Sequence, residues 1–278
     1  MCILFIFAGS KEDSGDYSMI LASNRDEKYD RPTQNLAPWV EDNQIIGGRD
    51  LLEGSGGGTW LAISPLRKKL GVLLNIPGHS LENAHSRGKI VADFVRETKT
   101  AEEYVESIKG YTDECNEFVF VTVEFRNTEE NMLPQISSYS NASNMLTCHE
   151  DQFLGFGNSL PDNPLKKVEA GKFKFEKICT KFNNINQREK LIEELLLLLK
   201  CEERHLPDPQ LQQKTPSHYE DLSSICVSIP QLRYGTRTHT LILVGKTGHV
   251  EVIEFTLEDP VDTDNLRWNR TEYDFDLC

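Results

Sequence analysis

The sequence predicts a layered α+β protein, with mostly antiparallel sheets covered by helices. Three observations predict it. Apolar runs of strand length open the chain, recur in its middle and return near its end. Two regions of helical periodicity separate those runs. The resulting order of strands, helices, strands, helices, strands does not fit an alternating βαβ parallel sheet. With 278 residues and 38% hydrophobic content, the chain can bury one large core. Residues 1–278 therefore read as a single domain, and the proline-bearing stretch 206–217 is the best candidate for a linker.

Each element has a local reason. Cys2–Ala8 is a continuous apolar run, Gly9–Asp16 is a polar turn, and Tyr17–Ser23 resumes the apolar pattern, which predicts a hairpin. Gln44–Gly48 reads as a short strand. Thr59–Ser64 and Lys69–Ile76 read as a second hairpin joined through Pro65. Over residues 84–110 the period changes, and Ile90, Val91, Phe94 and Val95 fall on one helical face. Thr100 and Glu103 form the signature of a capping box for a second helix ending near Gly110. Phe118–Phe125 reads as a strand, with two further short strands between Gln135 and Gly157. Residues 162–204 are helical, and Leu195–Leu199 predicts a helix buried between layers, with a lipid- or partner-contacting face as the alternative. Residues 206–217 read as loop. Strands follow at Ile225–Ile229, Thr238–Gly245 and Val250–Leu257, the last two joined by a tight Gly245–Gly248 turn.

Composition excludes several function classes. A net charge of −14 opposes binding to nucleic acid, which needs clustered Lys and Arg. The small basic clusters, Arg67-Lys68-Lys69 and Lys166-Lys167, read as solvated faces. Seven cysteines, with no CxxC spacing, point to reduced thiols in a cytosolic setting. No run approaches the ~20 apolar residues of a transmembrane helix, and no secretory signal is expected. The histidines make no HxxxH or HExxH pattern, so no catalytic metal is expected. His79 and His85 flank a loop and are the candidates for an iron contact.

Candidate chemistry centres on Cys2. Removal of Met1 would leave a thiol and a free α-amine on one residue, and an amine with a pKa of roughly 7.7–8.0 can take the thiol proton. Asn24-Arg25-Asp26-Glu27 follows the second strand, and hairpin pairing would bring it close to Cys2. A solvated charged loop is the alternative. Asn75, at a strand end, and Asn158 are amides suited to hold an oxyanion, or to make turns. Arg237, before an apolar strand, can pair with a carboxylate in the same cleft. The Gly54–Gly58 loop lacks a phosphate-binding pattern and reads as close backbone packing or a lid, with Trp60 in the core.

Met1-Cys2, Asn24-Arg25-Asp26-Glu27, Gly57-Gly58-Thr59-Trp60-Leu61, Ser86-Arg87-Gly88 and Tyr234-Gly235-Thr236-Arg237-Thr238 occur in that order. As a set they resemble the transport and Golgi organisation protein 2 family, also called the NRDE family. The resemblance runs nearly end to end and is weakest around residues 11–16 and 126–150.

The resemblance implies an αββα sandwich like that of the N-terminal-nucleophile hydrolases. Within that superfamily Cys2 matches the nucleophile and Arg25 and Asp26 the Arg/Asp pair, here at tighter spacing. Asn75 and Asn158 match the oxyanion asparagines, and Arg237 the later arginine. For biology the resemblance implies haem trafficking: a cytoplasmic chaperone that binds haem and helps move it from haem-rich compartments to acceptor proteins. It also implies association with mitochondria or other organelles, as a peripheral contact with membranes. Lipid or acyl-CoA handling has been proposed within the family. No CxxCH or axial pair marks haem in the sequence itself. The second function class is a cysteine amidohydrolase or thioesterase acting on a small amide or acyl thioester. A third is a scaffold with a vestigial site.

Overall fold

The computed structural model describes residues 2–278 apart from residues 55, 79, 129 and 130. The chain runs β1 (Ile3–Ala8), β2 (Tyr17–Lys28), β3 (Thr33–Pro38), β4 (Ile46–Asp50), β5 (Leu61–Ser64), β6 (Lys69–Asn75), α1 (Gly88–Arg96) and α2 (Ala101–Thr112). It continues through β7 (Phe118–Asn127), β8 (Met132–Ser140), β9 (Met145–His149), β10 (Phe153–Phe156), α3 (Lys166–Lys181) and α4 (Arg188–Leu199). The last elements are α5 (Pro209–Lys214), α6 (Tyr219–Leu222), β11 (Ser228–Ile229), β12 (Tyr234–Gly245), β13 (His249–Leu257) and β14 (Trp268–Asp276).

These strands form two sheets in which neighbouring strands are antiparallel. One has the order β10-β1-β2-β12-β13-β14, with β11 beside β12. The other is a meander from β3 to β9. Leu4, Ile6, Met19, Leu21, Val72, Val121 and Ile242 pack between the sheets. Ile3, Phe5, Ile20 and Ala22 face α3 and α4, where they meet Phe175, Leu191 and Leu195. Ile90, Val91, Phe94 and Tyr104 cover the outer face of the second sheet. The architecture is therefore α+β in four layers: helix, sheet, sheet, helix. A strand in an inner layer is buried on both faces, which is why β1 reads as a continuous apolar run.

The capping box forms as expected, with the Glu103 N–H on Thr100 Oγ1 at 3.2 Å and the Thr100 N–H on Glu103 Oε2 at 2.9 Å. Elsewhere the structure corrects the reading. Asn24–Glu27 lies inside β2, not after it, because β12 continues the ladder through Asn24↔His239, Arg25↔Thr238 and Asp26↔Thr236. Helix α4 is outermost. Its buried stripe is Leu191, Ile192, Leu195, Leu198 and Leu199, and Leu197 points to solvent.

The segment 206–217 contains α5, started by Pro209 and by the Asp208 carboxylate on the Leu211 N–H at 2.9 Å. Of Ile225–Ile229 only Ser228 and Ile229 pair as strand. Side chains take two of the other backbone groups: Asn24 donates to the Ile225 carbonyl, and the Val227 N–H donates to Thr236 Oγ1. The Cys226 N–H donates to the Cys201 carbonyl, and the Val227 carbonyl accepts the Thr236 N–H. Three strands, not two, fill residues 132–156. Strands β3 and β14 were not anticipated, and β14 is a half-exposed polar edge without an apolar run.

Two of the quoted motifs touch. A Cβ on Gly58 would sit 2.7 Å from the Cα and carbonyl carbon of Gly88, and the Thr59 N–H donates to the Gly88 carbonyl at 3.1 Å. The glycine-rich loop is thus packed backbone to backbone on the first turn of α1. Gly58→Ala should lower stability by about 1–3 kcal/mol through overpacking, read as a shift in urea midpoint at unchanged slope.

Candidate functional site

The register of β1 and β2 assembles the site. Ile3 pairs with Asn24, so continuing the register one residue sets Cys2 beside Arg25. Side chains alternate along a strand. Cys2, Arg25 and Glu27 share the face of Leu4, Met19 and Leu21, between the sheets. Asn24 and Asp26 share the face of Ile20 and Ala22, under the helices. The tetrapeptide is split by direction into a cleft half, Arg25 and Glu27, and a supporting half, Asn24 and Asp26 toward the helices, although Asp26 also borders the cavities.

The supporting half is a buried polar network. Asn24 Nδ2 donates to the carbonyls of Leu199 at 2.8 Å and Ile225 at 3.0 Å. Its Oδ1 is 2.7 Å from His239 Nδ1. The amide donates elsewhere, so that imidazole nitrogen carries the proton. Burial pushes His239 down to about 3, so its ring is neutral at physiological pH. Thr236 Oγ1 donates to Asp26 Oδ1 at 2.6 Å. Lys167, read from sequence as solvated, is 1% exposed beneath β2, and its Nζ donates to the Ser224 carbonyl at 3.0 Å.

The cleft half opens into two adjoining cavities. One, of about 430 Å³, is lined by Cys2, Arg25, Trp60, His85 and Arg87 among others. The other, of about 380 Å³, includes Pro77, Asn158 and Tyr234. Cys2, Asp26, Glu27, Asn75, Arg87 and Asn116 line both, so Cys2 stands at the waist. Trp60 is a cleft wall as well as a core neighbour: the Arg25 guanidinium lies 4.0 Å from its ring centre. Arg31 is held against Asp50 by paired bonds at 2.6 and 3.2 Å. Arg87 donates to the Glu117 carbonyl at 2.9 Å.

The two asparagines meet. Asn158 Nδ2 donates to the Asn75 carbonyl at 2.5 Å, and the Asn75 side chain is exposed on the cleft. Of the sequence candidates, Cys2, Arg25, Asp26, Asn75 and Asn158 converge. Arg237 does not line either cavity. Its buried guanidinium bonds the carbonyls of Lys28 and Arg31 at 3.2 and 2.6 Å and the Asp259 carboxylate at 2.7 Å, which ties down the end of β2.

Burial sets the electrostatics. It pushes the Cys2 thiol up, and the Asp26 charge adds to this, while the Asp26 backbone N–H and Arg25 pull the other way. It pushes the Asp26 carboxyl up, against the pull of Lys167 and the Thr236 hydroxyl. It pushes the Arg25 guanidinium down, against Glu27 and Cys2. At neutral pH the thiol is protonated, and it needs a base to become a nucleophile.

The sequence reading missed Lys167 and did not place Arg87, Asn116 or Tyr234 in a site. Arg87 carried a signal, since it sits in Ser86-Arg87-Gly88. Lys167 carried none, because a buried lysine in a basic run looks like its exposed neighbour Lys166.

Fold and site together define an α+β protein of two antiparallel sheets with a thiol at the waist of a charged cleft. A family model described as Transport and Golgi organisation 2 matches residues 1–259. The Drosophila melanogaster Transport and Golgi organization protein 2 is 36% identical over 297 residues, covering 100% of this chain and 99% of the relative. The Homo sapiens and Mus musculus homologs are 31% and 30% identical over 283 residues, with the same coverage. The chain belongs to the transport and Golgi organisation 2 family.

Two outcomes are expected. Asn24→Leu strands two carbonyls and a buried imidazole, and should cost roughly 3 kcal/mol in chemical denaturation. Alkylation of Cys2 in protein that keeps Met1 should be slow at pH 7 and still accelerating at pH 9, because a raised thiol pKa leaves little thiolate below it. A plateau below pH 8.5, read by intact mass, contradicts this.

Proposed function

We propose that this protein binds haem as cargo and hands it to acceptor proteins. One observation supports this most: Cys2 and His85 line the same 430 Å³ cavity, together with Arg25 and Arg87. Thiolate and imidazole are both haem-iron ligands, and a guanidinium fits the carboxylate of a haem propionate. Arg25 and Arg87 are only partly used within the protein, which leaves donors for such carboxylates. His85 is half-exposed, stacks on Tyr111 at 4.8 Å and meets Glu114 at 3.0 Å, as suits a contact that must release its cargo. His79, the other candidate iron ligand, lies outside the described residues.

In this reading residues 1–278 act as one domain in the cytoplasm, touching mitochondria or other organelles peripherally. Among the described residues no helix is long and apolar enough to cross a membrane. Haem titration should shift the Soret band, and Cys2→Ala and His85→Ala should each weaken binding about tenfold, or 1.4 kcal/mol. Bound haem should pass to an apo acceptor. Transfer no faster than from an unrelated haem-binding control sinks the proposal.

A second reading has its own support. Cys2 stands among Arg25, Asp26, Asn75 and Asn158, in a helix–sheet–sheet–helix layering of the kind the N-terminal-nucleophile hydrolases have. With Met1 removed, the Cys2 α-amine would take the thiol proton and the thiolate would attack a carbonyl. Amide N–H groups of the asparagines would hold the oxyanion, and the amine would return the proton to the leaving amine or thiol. Water would then release the acyl group. Mature protein lacking Met1 should form an acyl adduct on Cys2 with an activated ester, and protein retaining Met1 should not. No adduct on the Met1-free form rules this reading out. The fate of Met1 itself lies outside the described residues.

A further inference from the structure

We propose that Ser138 and His149 form a second reactive site, in which the Ser138 hydroxyl takes the acyl group of a small neutral ester. The proposal goes beyond the Cys2 cleft and does not depend on it. Ser138 Oγ lies 2.7 Å from His149 Nε2, the contact that a general base needs with its nucleophile. The pair comes from β8 and β9, where Ser138 is opposite Thr147 and His149 is opposite Ile136. Opposed and alternate residues of paired strands share a face, so these four side chains lie on one side of the sheet. The neighbouring Ser140 makes the more ordinary bond of a strand serine, donating to the Phe118 carbonyl at 2.7 Å.

Ser138 and His149 both border a cavity of about 240 Å³. Met145, Thr147, Leu160 and Asp162 contribute to its walls. Among the described residues it shares none of its lining with the two cavities at Cys2. The apolar side chains suit a short acyl chain, and the Asp162 carboxylate disfavours an anionic one. The His149 ring meets the Phe156 ring edge-on, with 5.3 Å between centres. Burial lowers the His149 pKa, so the imidazole is neutral at pH 7 and able to accept a proton, while the Asp151 charge favours the cation that then forms.

The reaction balances with water as the second reactant. With the ring proton on Nδ1, Ser138 Oγ attacks the ester carbonyl as its own proton passes to His149 Nε2. The Thr147 hydroxyl, directly across the ladder and on the cavity wall, is the donor at hand for the oxyanion. The carbon–oxygen bond to the alcohol then breaks, and Nε2 returns the proton to the leaving oxygen. Water, deprotonated by the same nitrogen, releases the acid and restores Ser138.

The test uses protein that retains Met1, in which the Cys2 nucleophile reading expects no acyl adduct. A fluorophosphonate probe should lose fluoride and leave an adduct on the peptide that carries Ser138, read by mass. His149→Gln should slow that labelling roughly a hundredfold. Ser138→Ala should bring nitrophenolate release from p-nitrophenyl butyrate down to the buffer rate. No adduct on Ser138, or labelling as fast in His149→Gln, overturns the proposal and leaves a structural hydrogen bond. Hydrolysis undiminished in Ser138→Ala overturns it too. Should either variant fail to fold, the adduct map of the unmodified chain decides. Failure of Cys2 to acylate in Met1-free protein leaves the Ser138 site standing, and failure of Ser138 leaves the Cys2 reading standing.

Discussion

The rest of the site depends on one constraint: β2 keeps its ladder through Asn24-Arg25-Asp26-Glu27. Polar, mostly charged residues at the end of an apolar strand would ordinarily turn out into water. Here β12 supplies backbone partners as far as Lys28. The alternation of the strand then sends Asn24 and Asp26 one way and Arg25 and Glu27 the other. The outcome is stable because each buried polar side chain finds a specific partner. Asn24 takes two carbonyls and His239, Asp26 takes Thr236, and Arg25 takes the face of Trp60. Unmade bonds at these positions would be expensive in a medium of low dielectric.

That constraint explains the layering. Helices α3 and α4 lie on the sheet whose buried face includes Asn24, and the end of α4 is fastened there through the Leu199 carbonyl. The second sheet brings Trp60 and Asn75 across from Cys2. Helix α1 begins against the glycine-rich loop, and Arg87 precedes it at the cleft. Each layer therefore delivers part of one cleft, and the apolar core between the sheets fixes their separation.

Much of the fold was legible because inner strands and one-sided helices leave clear hydrophobic periods. Phe118–Phe125, the capping box at Thr100 and the hairpin turn after Gly245 read directly. Strand β14 did not, because a polar edge with partial burial has no apolar run. Strand β3 was hidden for a similar reason, with only Leu36 deeply buried. The proximity of Cys2 to Arg25 followed from hairpin geometry alone. The direction of Asp26, the burial of Lys167 and the diversion of Arg237 toward Asp259 did not, since a charged residue's sequence does not reveal whether its partner is water or another chain segment. The family resemblance added a role for each residue but could not say that Arg237 anchors a strand end outside the cavity walls.

The dispersion of the site along the chain has a further consequence. Its parts come from the residue before β1, from β2, from β6, from the segment after β10 and from β12, so residues near both ends of the sequence must be in place together. Such long-range pairings close slowly in folding. A nascent or clipped chain that ends before β12 has its cysteine but lacks Thr236 and the ladder that keeps Asp26 inside. The cleft is therefore assembled late and as a whole, and a fragment of the protein should carry no weakened version of it.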